Sequence, residues 1–250
     1  MKVIKYNKFA LDYHNKRKKP WRDFENYLNK LKEKTFKKTG TIIDLGCANG
    51  RHFPTFKNPH NRLIGIDNSL QLLYFAKEKL INKTFTNTEK NNIQLLLADM
   101  SHLPIRESEK INGIFSVAAI HHIKTQKSRD LLMNQIFNSL KIGAFFVLTL
   151  WCRWQKRFQI YFLKDWIKRK ISGKYRNKQK ENGLPEFGDI YVPWTLSKEK
   201  ITINRYYHLF SLQEAKDLLS RKFSIKNIEK TGGPTEKDNI FIYAVKEKRK

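Results

Sequence analysis

The residues best suited to chemistry lie in Asp44-Leu-Gly46-Cys-Ala48-Asn-Gly50, where a carboxylate is followed by small residues at every second position. The loop follows an apolar run (41–45) and leads toward an amphipathic stretch. In open α/β sheets nucleotide-like ligands bind at such a carboxyl end of a strand. The spacing does not make a G-x-G-x-x-G dinucleotide loop, because the third glycine is absent and an acidic residue precedes the first. A carboxylate at this point in the loop disfavours a pyrophosphate. Asp67 and Asp99 close two further apolar runs. Asp67, 23 residues after Asp44, is placed to accept from both hydroxyls of a ribose, and Asp99 from an adenine amino group. Singly, each is as well read as a turn or helix cap. Together with the glycine loop, three acids at three strand ends make a coherent site.

Those acids need a scaffold, and the pattern from 40 to 152 supplies one. The runs TIIDL (41–45), RLIGID (62–67), IQLLLAD (93–99), INGIFSVAA (111–119) and AFFVLTLW (144–151) read as strands buried on both faces. Between them Ser69 caps a helix running to Ile81, and 128–141 sets Leu132, Ile136 and Leu140 on one helical face. Alternation at this spacing predicts an α/β fold with a doubly wound, mostly parallel seven-stranded sheet of Rossmann-like type. Trp21, Phe24, Leu28 and Leu31 form the apolar face of a helix packed on it. The capping box Ser211-Leu-Gln-Glu214 opens a late helix, and FSIKNIE with NIFIYAVK forms an antiparallel C-terminal hairpin at a sheet edge. The expected organisation is one domain over 1–250. It comprises basic N-terminal helices (1–39), a cofactor core (40–152), a basic insert with a recognition segment (153–210), and a closing helix with its hairpin (211–250).

The 250 residues carry 50 Lys+Arg against 23 Asp+Glu, a net charge of +27, which makes polyanions the leading partner class. Residues 1–39 hold 13 basic and 4 acidic side chains and residues 153–182 hold 11 and 2, so two thirds of the excess sits on either side of a nearly ordinary core. A chain that is 40% hydrophobic is not a disordered basic tail. The longest apolar stretch, 143–152, is about half of a bilayer crossing, and no apolar signal segment opens the chain, so a cytoplasmic protein without membrane attachment is expected. With two cysteines, Cys47 and Cys152, neither a disulfide framework nor a metal site is expected.

The loop resembles the D/E-x-G-x-G-x-G pattern of class I S-adenosylmethionine-dependent methyltransferases, with Ala48 in place of the middle glycine. If that position requires φ > 0, alanine costs on the order of 1 kcal/mol. Over nearly its whole length the chain resembles one family more narrowly, the tRNA wobble-uridine carboxymethyl methyltransferases, which esterify 5-carboxymethyluridine in the anticodon loop. The resemblance lies in YNKFALDYHNKRKKPW (6–21), DLGCANGRH (44–52), IGIDNS (64–69), ADMSHLPI (98–105), SVAAIHHI (116–123), DIYVPW (189–194) and RYYHLF (205–210). It implies S-adenosylmethionine as cofactor, held by Asp44, Gly46, Cys47, Ala48, Gly50, Asp67, Asn68, Asp99, Met100 and Ala118. It implies a catalytic set of Arg17, His122, Arg205, Tyr206 and His208, with Tyr207 also available to bases and Trp151 at the pocket or in the core.

The implied partners are tRNA, through its anticodon loop, and a small zinc-containing activator subunit on the strand at 93–98. That strand carries no charge before Asp99, a hazard if left exposed at a sheet edge. The basic insert, with six aromatics among eleven cations over 153–180, reads as a tRNA grip because it follows the fifth strand on the cofactor side. A basic helix lying on a membrane is the alternative for it. Two other readings stay open for the whole chain: a small-acid O-methyltransferase, and a non-catalytic tRNA-binding subunit, the latter raised by Ala48.

Overall fold

The computed structural model describes residues 6–31, 40–56, 59–81, 86–105 and 111–248. A short 3-10 turn, Tyr6–Phe9, leads into α1 (Ala10–Lys16) and α2 (Arg22–Lys30). The core then alternates β1 (Gly40–Leu45), β2 (Asn61–Asp67), α3 (Leu70–Ile81), α4 (Asn87–Asn91), β3 (Ile93–Leu97), β4 (Ile111–Val117), α5 (Gln126–Ser139) and β5 (Leu140–Trp151). Beyond it come α6 (Gln159–Ile171), α7 (Gly173–Glu181), β6 (Asp189–Thr195), β7 (Thr202–His208), α8 (Leu212–Ser220), β8 (Ser224–Thr231) and β9 (Asn239–Val245).

Seven strands form one sheet in the order β3-β2-β1-β4-β5-β9-β8, with β6 and β7 paired apart from it. The first five run parallel; β9 is antiparallel to both β5 and β8. The order reverses between β1 and β4, and the crevice at their carboxyl ends is where a ligand is held in such sheets.

Both faces of the sheet are buried, which is why β4 and β5 are apolar without alternation. On one face Phe146 and Leu148 meet Leu132 and Ile136 of α5 and Leu219 of α8. On the other, Phe115 and Val147 meet Phe24 and Leu28 of α2 and Leu73 of α3. A third apolar cluster joins Phe162 of α6 to Ile190, Val192 and Tyr207, fixing the insert to the β6–β7 hairpin.

The sheet, its closing hairpin and the capping box at Ser211 match the sequence reading. Boundaries moved at α5, which Thr125 caps through Ser128 N and which stops at Ser139. Leu140 already pairs with Ile111, so Lys141 and Gly143 belong to β5, where Gly143 N donates to Lys246 O. The N-terminal stretch is two helices, separated by Pro20, with Arg17 at the C-cap of the first. The remainder of 1–39, positions 1–5 and 32–39, lies outside the described residues.

β3 is a true sheet edge. No described strand pairs with its outer side, and Leu96 and Leu97 are exposed there. The insert departs from a simple cationic grip: Ile160, Leu163, Ile167 and Ile171, spaced along one face of α6, all point outward among Lys164, Lys168 and Lys170. No described helix is long and apolar enough to cross a membrane.

Candidate active site

A cavity of about 1400 Å³ opens at the carboxyl ends of β1, β2 and β4 and extends beneath the β6–β7 hairpin. Its floor is the loop after β1. Gly46 N and Cys47 N both donate to Ile66 O, at 2.8 and 3.0 Å, folding the loop across the end of β2. Gly46 has φ +81°, and a Cβ there would collide with that of Ala119. Ala48 adopts φ +49°, so the left-handed conformation that favours glycine is required and the methyl costs on the order of 1 kcal/mol.

Asp67 is the centre of this half. Its Oδ2 accepts from Ala48 N at 2.8 Å and its Oδ1 from Ser69 N at 2.9 Å, which leaves further lone pairs for a diol. Burial pushes its pKa up to about 6, although the N–H groups of Ser69, Ala48 and Asn68 pull it down. Asp99, exposed at the end of β3, caps a 3-10 turn through Ser101 N and also faces the cavity, so the cap and ligand readings hold together.

Gly46, Ala48, Asp67, Asn68, Asp99, Met100 and Ala118 line the cavity, whereas Asp44, Cys47 and Gly50 stand behind its wall. Asp44 is 1% exposed, and its Oδ2 has no partner. Burial first, then the charge of Asp67, raise its carboxyl well above the usual range, with Arg51 opposing. The carboxylates, the glycine cradle and the unbonded Asp44 oxygen fit S-adenosylmethionine, a ligand with a diol, an amino group and a positive sulfur.

The other half comes from β7, the turn after β4, and the N-terminal segment. Alternation along β7 sends Arg205 and Tyr207 to one side, Tyr206 and His208 to the other. Arg205 is only 6% exposed, yet no carboxylate among the described residues pairs with it, and its Nε is unbonded. Three rings enclose its guanidinium: Trp194 at 4.6 Å, Tyr207 at 5.0 Å and Phe9 at 5.8 Å. Tyr207 stacks between His121 and Trp151, with centroids 4.6 and 4.7 Å away. Burial pushes its hydroxyl up to about 12.

His122 Nδ1 lies 2.9 Å from Tyr206 O. A carbonyl only accepts, so Nδ1 carries the proton and Nε2 is left as an acceptor. Burial lowers the His122 pKa to about 3, so the ring is neutral. Arg17 is exposed at the cavity rim, its guanidinium 5.8 Å from the Trp194 ring.

Tyr206 lines the cavity with its hydroxyl turned to a buried carboxylate, and His208 is not among the lining residues. The Tyr206 hydroxyl donates to Asp189 Oδ1 at 2.6 Å. His208, 1% exposed, contacts Asp189 through Nδ1 at 2.7 Å and Glu214 through Nε2 at 2.6 Å. Arg129 binds Glu186 at 2.6 Å and Arg153 binds Glu214. Carboxylates thus hold both ring nitrogens of His208, and the cluster pins the hairpin to α5 and α8. Glu186, Asp189 and His208 lie close enough to share a metal ion, but Arg129 already pairs with Glu186, and Tyr206 and His208 already occupy Asp189.

The sequence reading did not single out Tyr6, Phe9, Tyr13, Asn49 or Trp194. Trp194 sits within DIYVPW and the N-terminal aromatics within 6–21, so the motifs were noticed, but pairing across the cavity was needed to select these side chains.

Residues 43–148 match the family model described as a methyltransferase domain. The tRNA (carboxymethyluridine(34)-5-O)-methyltransferase of Schizosaccharomyces pombe is 24% identical over 96% of this chain and 94% of its own length. The Arabidopsis thaliana protein of the same name is 26% identical over 69% of this chain but only 36% of its own length. Among solved structures, a SAM-dependent methyltransferase from Methanosarcina mazei superposes with a TM-score of 0.65 at 17% identity, covering 92% of this chain and all of that one. Residues 43–148 thus match a methyltransferase domain, the fold is that of a solved SAM-dependent methyltransferase, and along nearly its whole length the chain is similar to the Schizosaccharomyces pombe tRNA (carboxymethyluridine(34)-5-O)-methyltransferase.

Proposed function

We propose that the protein transfers a methyl group from S-adenosylmethionine to the carboxylate of 5-carboxymethyluridine at the wobble position of tRNA, giving the methyl ester. Arg205 carries this reading: a buried, ring-enclosed guanidinium with no counter-ion among the described residues is a site for an anion, and it shares one cavity with Asp67.

When bound, the cofactor supplies an electrophilic methyl on a sulfonium. Asp67 would hold the ribose, Asp99 the adenine amino group, and Asp44 the positive end of the cofactor from behind the loop. A carboxylate acceptor with a pKa near 4 is already ionised at neutral pH. Its attacking oxygen forms the new O–C bond as the C–S bond breaks, the pair goes to sulfur, and no proton moves. No general base is therefore required, in keeping with a neutral His122 whose proton is engaged by Tyr206 O. What the chain supplies is orientation: Arg205 fixes the acceptor in line with the methyl, and Trp151 and Trp194 offer faces for bases.

Excess charge on 1–39 and 153–182 would grip the tRNA backbone. The open edge of β3, with Leu96 and Leu97 exposed, is the surface on which a small zinc-containing activator subunit would add a strand.

The deciding experiment incubates carboxymethyl-containing tRNA with protein, activator and cofactor, followed by nucleoside mass spectrometry. Formation of the methyl ester is expected, and its absence with folded, cofactor-binding protein overturns the reading. The left-handed Ala48 favours a second reading, a tRNA-binding subunit without turnover. In that case S-adenosylhomocysteine titration shows no binding with or without the activator.

A further inference from the structure

Beside Arg205 the cavity contains one more unsatisfied donor. The Tyr6 hydroxyl is shut off from solvent and has no hydrogen-bond partner. Its ring is fixed by Phe9 at 4.9 Å and by the edge of His122 at 5.4 Å. Burial raises its pKa well above the ordinary value; of the neighbouring charges that act on it, Arg205 lowers it and Asp67 raises it. The phenol is therefore protonated, a donor and not a base, within electrostatic reach of both the Asp67 carboxylate and the Arg205 guanidinium.

A buried donor left unpaired is destabilising, and so a ligand oxygen should complete it. No hydrogen bond joins it to Asp67, whose remaining lone pairs the proposed function assigns to the ribose diol. Tyr6 and Arg205, each with a buried unpaired donor, line the same cavity, which suits a ligand offering two oxygens on one carbon.

We propose that Tyr6 donates its hydroxyl proton in a hydrogen bond to the acceptor carboxylate, and with Arg205 makes the site selective for a carboxylate over its ester or amide. The inference rests on the function proposed above. Its chemistry limits how strongly the acceptor should be held. Carboxylate and sulfonium both lose charge in the transition state, so a second cation would stabilise the ground state more than the transition state and slow the reaction. A neutral phenol orients the carboxylate with a smaller penalty of that kind. Tyr6 should accordingly act mainly through binding, with kcat/KM falling chiefly because KM rises.

The test compares the full chain with Tyr6→Phe, using an anticodon stem-loop that carries either carboxymethyluridine or its methyl ester, and S-adenosylhomocysteine as the cofactor probe. Affinity for the acid is expected to fall about tenfold, the size of one charge-assisted hydrogen bond. Affinities for the ester and for S-adenosylhomocysteine should stay within about twofold, the latter also reporting an intact fold. Equal losses for acid and ester would make the hydroxyl merely structural and overturn the inference. A loss confined to S-adenosylhomocysteine would assign it to the cofactor, and no change in any affinity would deny it a role. If the unsubstituted chain forms no ester and does not discriminate acid from ester, the proposed function falls first and this inference with it.

Discussion

The side-chain amide of Asn49 donates to the main-chain carbonyl of Arg17 at 3.0 Å. Asn49 is fully buried on the cofactor loop and also lies 3.3 Å from His14 Nδ1. Farther along the same N-terminal segment, Asp12 accepts from Trp194 Nε1 at 2.6 Å and from Ser197 N at 3.0 Å. One short stretch of chain thus touches the cofactor loop at one end and the acceptor hairpin at the other.

Asn49→Ala removes that tie and leaves a carbonyl without its partner. The expected loss is about 1–3 kcal/mol of stability, measured by urea unfolding. Acceptor affinity should fall as well, although no side chain of the acceptor pocket has been changed. A variant with unaltered acceptor affinity would show that the contact does not position Arg17.

Ala48→Gly tests the strained loop. Removing the methyl relieves left-handed strain on the order of 1 kcal/mol, offset partly by a more flexible unfolded chain. Thermal unfolding should show unchanged or slightly raised stability, and calorimetry should give tighter S-adenosylhomocysteine binding. Weaker binding would mean that the alanine methyl contacts the ligand favourably.

Asp67 makes cofactor binding pH-dependent. Burial raises its pKa to about 6, above the unfolded value near 4. Its contribution to folding stability is therefore full below about pH 4 and is lost as pH rises through 6. Ligand binding to the ionised carboxylate has the opposite dependence: below pH 6 a proton must leave first, so affinity should fall toward about tenfold per unit. Titrations at pH 5 to 8 should bend near 6, and Asp67→Asn should remove the bend while weakening binding throughout.

Arg205→Ala and His208→Ala separate site from support. The first should abolish turnover with S-adenosylhomocysteine affinity and fold retained, because Arg205 makes no ion pair among the described residues. The second leaves buried Asp189 short of a hydrogen-bond partner and should destabilise by about 1–3 kcal/mol. Equal melting temperatures for the two variants would contradict the division of β7 into a cavity face and a buried polar face.

Raising salt should weaken tRNA binding steeply while cofactor binding changes little, since only the former releases condensed counterions. A shallow slope would mean that the apolar face of α6, and not its lysines, meets the RNA.

The sheet was readable because strands buried on both faces announce themselves as continuous Val, Ile, Leu and Phe runs, as in 111–117 and 144–151. Asp67 and Asp99 were readable because their place at strand ends follows from topology. Tyr206 and Tyr207 were not separable, since neighbours in a strand differ only in which side faces the cavity, and that depends on the register with Tyr191 and Ile190. Tyr6 gave no signal of its own: its meaning arises from the absence of a partner after folding. The outward row of isoleucines on α6 was equally hidden, because amphipathic spacing does not say which face has a neighbour.

Cys47 offers a way to watch the loop. It sits between Gly46 and Ala48, 2% exposed, with a thiol that burial makes hard to ionise; Cys152, the other cysteine, is 1% exposed in the core. A thiol-alkylating reagent can therefore reach Cys47 only in moments when the loop lifts from Ile66, and the labelling rate becomes a clock for that opening. Ligand occupancy should stop the clock, so mass spectrometry of labelled Cys47 against time counts occupied loops in the native chain, with no introduced probe.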